Sequence, residues 1–181
     1  QSSYGIHKFI CEQLVADYTR KGFIDGRAAR LMTVSVRPGR PNGAASGFLS
    51  GIVREPLAGI DAVCPVDPAL SVALASPGTT IAGILKVVEV SREAFGGRTA
   101  INLPALTVTV SQMLQALADS AGAEVAARVT VAPDPAVERL VGSWPSRFES
   151  ARAQRLGLVA DGSFAEVIAQ YRRDHPVGAT A

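Results

Sequence analysis

Tyr4 and Lys8 stand four positions apart in the run Tyr4-Gly5-Ile6-His7-Lys8. Residues i and i+4 of a helix share a face, so this spacing stacks a phenol beside an ammonium. A free tyrosine titrates near 10, too high for an efficient base at neutral pH. A cation within about 4–6 Å favours the phenolate and draws that value down. Such a tyrosine can take the proton of an alcohol as its hydride leaves, or return it in the reverse direction. Tyr-x-x-x-Lys alone is common, because a surface lysine beside a half-buried tyrosine needs no chemistry. His7 offers a second acid/base three residues from Tyr4. His175 lies in the polar C-terminal tail and is read as solvated. Glu12, one turn past Lys8, is expected to pair with that lysine. Arg54 carries a different chemistry, since a guanidinium matches a carboxylate in bidentate geometry.

The elements that must position these groups follow from periodicity. Ile6, Phe9, Ile10, Leu14 and Val15 repeat at helical spacing, with Ser2 or Ser3 as N-cap and Gly22 as the stop, predicting a helix over 4–21. Residues 28–36, β-branched toward their end, read as a buried strand. Residues 37–47 hold three glycines and two prolines and must form a loop at the C-terminal end of that strand. Ligands of open α/β sheets bind beyond such strand ends. A short helix is predicted over 46–57, strands over 60–64 and 70–75, and a helix from Pro77 to Val90. A strand over 99–103, a helix from Thr109 or Ser111 to Ala121, and a strand over 125–131 follow. Helices are expected over 135–141, 146–156 and 163–173. The alternation means α/β.

Composition limits the partners. The 181 residues include 18 basic and 16 acidic ones, well mixed, for a net charge of +2. No basic run stands out, so neither nucleic acid nor an anionic membrane is an expected partner. No apolar stretch approaches the roughly 20 residues that cross a bilayer, and no signal peptide is visible. Cys11 and Cys64 lack disulfide or zinc spacing and are read as small buried apolar groups in a reducing cytoplasm. No Asp/Glu/His cluster suggests a metal. The chain opens at Gln1 and is helical almost at once, which reads as a cut inside a larger protein.

Longer patterns add specificity. Ser3-Tyr4-Gly5-x-x-Lys8 with Glu12 resembles the catalytic helix of the extended short-chain dehydrogenase/reductase family, the NAD-dependent epimerase/dehydratase group. Three further stretches resemble most its D-erythronate dehydrogenase branch. They are Val36-Arg37-Pro38-Gly39 with Pro41-Asn42-x-Ala44-Ala45-Ser46-x-Phe48-x-Ser50-Gly51-Ile52-Val53-Arg54-Glu55-Pro56-Leu57, then Asn102-Leu103-Pro104, and Trp144-Pro145-x-x-Phe148-x-x-Ala151-Arg152-Ala153-x-x-Leu156-Gly157. Met32 stands where this branch usually has proline.

The resemblance implies the C-terminal part of a Rossmann-type parallel sheet plus a small mixed α/β substrate-binding domain. Residues 1–42 and 76–104 would belong to the sheet, and 43–75 and 105–181 to the substrate side. Tyr4 would be the acid/base, and Lys8 would assist it and hold the nicotinamide ribose. Arg37, Pro38 and Gly39 would border the nicotinamide of NAD, NADP being open. Asn42, Ser46, Ser50 and Arg54 would line the pocket of a small sugar acid, with Trp144 and Arg147 on its far wall; a lone tryptophan is equally at home as core packing. A homodimer is implied. The family's glycine-rich fingerprint and its catalytic Ser or Thr are not in this sequence, so the polypeptide alone is expected to bind NAD weakly and, with sheet edges open, to associate. A nucleotide-sugar epimerase or dehydratase and a non-catalytic α/β interaction module are the competing readings. The crowded Ala44-Ala45-Ser46 loop and Arg54 favour a small carboxylate.

Overall fold

The chain is described by a computed structural model over residues 2–40 and 44–176. Helix α1 (Ser3–Arg20) starts where the Ser2 hydroxyl accepts the Gly5 N–H at 3.1 Å, and Gly22 follows in the left-handed region at φ 77°. Next come β1 (Ala29–Arg30), β2 (Thr33–Val34), a 3₁₀ turn (Ala45–Gly47), α2 (Phe48–Leu57), β3 (Ala62–Cys64) and β4 (Ser71–Ala75). Helices α3 (Pro77–Glu89) and α4 (Arg92–Phe95) lead to β5 (Ile101–Asn102) and β6 (Leu106–Thr109). The chain ends through α5 (Val110–Ala121), α6 (Ala123–Ala126), β7 (Val129–Val131), α7 (Pro135–Val141), α8 (Ala151–Arg155) and α9 (Phe164–Asp174).

The strand predicted over 28–36 changes partners half-way. β1 pairs in parallel with β5, Ala29 opposite Ile101 and Arg30 opposite Asn102. β2 pairs in parallel with β4, Thr33 opposite Leu74 and Val34 opposite Ala75. β4 is also antiparallel to β6, and β3 runs parallel to β7. The mixed α/β architecture with parallel pairing agrees with the pattern read from the sequence.

Three elements depart from expectation. β6 was not predicted, yet Leu106 and Val108 alternate with Thr107 and Thr109 and pack on the core, a period of two. The strand expected over 125–131 keeps only its second half. Gly122, at φ 97°, ends α5, and the alanine-rich 123–126 makes one more helical turn. The helix expected over 146–156 begins only at Ala151. The preceding segment is held to the sheet side, where Thr107 Oγ1 donates to the Ser146 carbonyl at 2.6 Å and Asn102 Nδ2 to that of Glu149 at 3.0 Å.

The main core joins one face of α2 (Leu49, Ile52, Val53) to Met113 and Leu117 of α5 and to Phe164, Val167 and Ile168 of α9. A second, smaller cluster gathers Phe95, Ile101, Leu103 and Ala153. Cys64 lies in the main core, where burial pushes its thiol up from the ordinary range, whereas Cys11 is exposed, against the expectation that both are buried. The apolar stripe of α1 is also uncovered: Ile6, Phe9, Ile10 and Leu14 are exposed, and no α1 residue is fully buried. Ile81, Ile84, Leu85 and Val88 of α3 are exposed as well.

Asp161 ties the last third of the chain to α3. Its carboxylate accepts the buried Ser76 N–H at 2.8 Å and the Thr79 hydroxyl at 2.7 Å, while the Ser76 hydroxyl accepts the Thr79 N–H. Asp161→Ala leaves a buried amide without its acceptor, a loss of about 1–3 kcal/mol. Urea denaturation should therefore show a lower midpoint with an unchanged slope.

Candidate active site

At the start of α1 the Lys8 Nζ sits 5.4 Å from the centre of the Tyr4 ring, so the pair shares one helix face as its spacing requires. The Tyr4 side of the helix is open, with Tyr4 72% exposed. No carboxylate lies within ion-pair distance of Lys8 among the described residues. Glu12 does not pair with Lys8, contrary to expectation. It accepts from Arg30 of β1 through both oxygens, Nε at 2.8 Å and Nη2 at 2.7 Å. The fork is charge-assisted and bidentate, geometry that a lysine one turn away does not offer. Glu12 in turn holds the Arg30 guanidinium above its ordinary value.

Beyond β2, four of the singled-out residues form one hydrogen-bonded cluster. The Arg37 N–H donates to the buried Ser50 Oγ at 3.0 Å, and Arg37 Nη2 reaches Ser46 Oγ at 3.5 Å. Arg54 Nη1 donates to the Arg37 carbonyl at 2.8 Å. The core face of α2 fixes Ser50 and Arg54 beneath the loop, and Ser35 Oγ braces it by donating to the Leu49 carbonyl. Pro38 and Gly39 stay exposed, and Gly39 turns the chain at φ 91°, where side chains are strained. Asn42 lies outside the described residues.

The carboxylate that Arg54 holds is that of its own neighbour, Glu55, at 2.5 Å. Both side chains are 12% exposed and border a cleft of about 240 Å³ with Gly47, Phe48 and Gly51. The second Glu55 oxygen, Oε2, is buried without a hydrogen-bond partner among the described residues. Burial raises the nearby Tyr171 phenol, which Arg54 pulls down and Glu55 pushes up. Trp144 stands elsewhere: it packs on the main core and lines a separate cleft of about 220 Å³ with Leu31, Met32, Thr33 and Phe148. Arg147 is exposed on the same loop. The structure thus joins Arg37, Ser46, Ser50 and Arg54, and among the described residues no hydrogen bond or shared cleft ties the Tyr4–Lys8 pair or Trp144 to them.

No family model matches the chain. Over 174 residues, 96% of the chain, it is 49% identical to the D-erythronate dehydrogenase of Cupriavidus necator. Against that of Haemophilus influenzae the identity is 43% over 171 residues, 94% of the chain. Each match takes up 54% of the relative, so the chain spans about half the length of the curated relatives it matches. The nucleoside-diphosphate-sugar epimerase from Agrobacterium tumefaciens superimposes with a TM-score of 0.91 at 40% identity, over 96% of this chain and 51% of that one. Over nearly its whole length the chain is thus similar to about half of a D-erythronate dehydrogenase and of a nucleoside-diphosphate-sugar epimerase. The L-threonine 3-dehydrogenase of Trypanosoma brucei shares the fold at 21% identity, with a TM-score of 0.81 over 98% of this chain and 56% of that one.

Two features of this segment escaped the sequence reading. Glu55 left a signal, a charged doublet with Arg54 on an otherwise apolar helix. The Glu12–Arg30 fork left a weaker one, an arginine inside a strand. No described helix is long and apolar enough to cross a membrane.

Proposed function

We propose that this chain carries the acid/base and substrate side of a nicotinamide-dependent dehydrogenase acting on a hydroxyl of a small sugar acid of the D-erythronate type. The observation that carries the reading is the open Tyr4–Lys8 pair on α1, in a chain 49% identical to a D-erythronate dehydrogenase. Tyr4 takes the hydroxyl proton as the C–H hydride departs, and Lys8 stabilises the phenolate left behind. The dinucleotide, when bound, supplies the hydride acceptor. The three donors of an exposed ammonium without a carboxylate partner suit ribose hydroxyls, so Lys8 and Tyr4 fit its nicotinamide end, bordered by the backbone of Arg37, Pro38 and Gly39. Nothing in this sequence cradles a pyrophosphate: Gly39, Gly43 and Gly47 are spaced four apart, not as a dinucleotide fingerprint.

On the substrate side, Arg54 recognises the acid carboxylate and the partnerless Glu55 Oε2 accepts a substrate hydroxyl, with Asn42, Ser46 and Ser50 around them and Trp144 and Arg147 on the outer wall. In this reading residues 1–42 and 76–104 form the cofactor-side sheet, a division the β1–β5 ladder supports by joining them, and the protein acts as a homodimer in the cytoplasm. Arg54→Ala is expected to raise KM for the acid about tenfold or more with a smaller change in kcat, because the contact exists in ground and transition states alike. Steady-state kinetics of the whole protein check this, and an unchanged KM removes Arg54 from the pocket.

The 40% identity to a nucleoside-diphosphate-sugar epimerase favours a second reading, the same pair acting on a nucleotide sugar. Offering four-carbon aldonic acids with NAD⁺ or NADP⁺, and separately UDP- and GDP-sugars, decides between them. Cofactor reduction with the acids alone supports the dehydrogenase; turnover of nucleotide sugars alone overturns it.

A further inference from the structure

Glu12 has two cations within reach of its place in the fold. Lys8 lies one turn back on the same helix, at the spacing where opposite charges meet, in the weaker lysine-first order. Arg30 comes from β1, eighteen positions along the chain, and takes both carboxylate oxygens. The Glu12 side chain is 16% exposed beneath that fork. Lys8 lies instead against Tyr4. The fork is also the polar tie between α1 and the rest of the fold that stands nearest Tyr4 among the described residues, the next being the Thr19 hydroxyl at Gly26, two turns on.

We infer that Arg30 is a positioning residue for the acid/base pair: by occupying Glu12 it keeps that carboxylate from drawing the Lys8 ammonium off Tyr4. The inference rests on the proposed acid/base role of the pair. Without Arg30, Glu12 becomes a free anion one turn from Lys8, and the ammonium divides its time between carboxylate and phenol. The phenolate then loses part of its counter-charge. The other groups along this stretch are His7 and Cys11 on α1 itself. Among the described residues no charged side chain of another element hydrogen-bonds or ion-pairs with Tyr4 or Lys8.

The test uses the whole protein and reads the pair in two ways: the ascending limb of the pH–rate profile for acid oxidation, and the pH titration of Tyr4 labelled with ¹³C at Cζ. Arg30→Met should move both to higher pH by about half a unit, as expected for partial loss of a neighbouring cation. Arg30→Met combined with Glu12→Gln should return both to the wild-type position, and Arg30→Lys should stay close to it. Glu12→Gln alone should leave the Tyr4 titration where it was. A merely structural fork predicts the reverse, a double variant no better than Arg30→Met, and that result overturns the inference. So does a shift in Glu12→Gln alone, which needs no Arg30 variant to fold. Variants whose Tyr4 titrations move as described, in a protein that oxidises no hydroxy acid, refute the proposed reaction and leave the positioning role standing.

Discussion

Tyr4→Phe in the whole protein is expected to lower kcat by about two to four orders of magnitude, the range by which a positioned acid/base accelerates proton transfer. The substitution removes one oxygen from a ring that is already exposed on α1, so packing is not disturbed. Affinity for the dinucleotide should change little, because most of its contacts would lie elsewhere. Stopped-flow or steady-state measurement of NADH formation with a four-carbon aldonic acid, beside fluorescence titration of NADH binding, separates the two effects. A variant that keeps half the wild-type rate excludes Tyr4 as the proton acceptor.

Lys8→Met should damage both quantities. Its ammonium lies 5.4 Å from the Tyr4 ring centre, and no other cation contacts that ring among the described residues. Removing the charge takes away the phenolate's counter-ion and the donors proposed for the ribose. A fall in kcat of about a hundredfold is expected, the scale of losing one charged donor at a developing negative charge. A several-fold rise in KM for the dinucleotide should accompany it. Lys8→Arg keeps the charge but replaces a compact ammonium by a planar fork, so it should recover only part of the rate. If Lys8→Met lowered the rate without touching dinucleotide KM, Lys8 would act on Tyr4 alone.

Where information was local, the sequence was readable. Helix α1, its Ser2 cap and the shared face of Tyr4 and Lys8 follow from a 3.6-residue period and one capping side chain. Thr109 was one of two candidate starts for α5, and as its N-cap it forms a reciprocal capping box with Gln112. Where partners come from distant elements, local rules misled. Glu12 was assigned to Lys8 on helical spacing, but the sheet delivers Arg30 with better geometry. Arg54 was read as free to meet a carboxylate, yet its place in α2 gives it Glu55 and the Arg37 carbonyl first. The strand over 28–36 was legible as a strand, but its division between two ladders depends on residues near positions 75 and 101 that no window around it contains.

That division makes residues 29–34 a fixed ruler between helix α1 and the loop beyond β2. Arg30 is pinned to α1 through Glu12 and to β5 by register, while Thr33 and Val34 are pinned to β4. An extended residue advances the chain by about 3.3 Å, and a shift of one reverses which way every side chain points. A single insertion between Arg30 and Thr33 would therefore carry Arg37 about one residue too far from Tyr4, or turn Arg30 away from α1. Any lengthening that the site tolerates has to fall before Ala29 or after Val36.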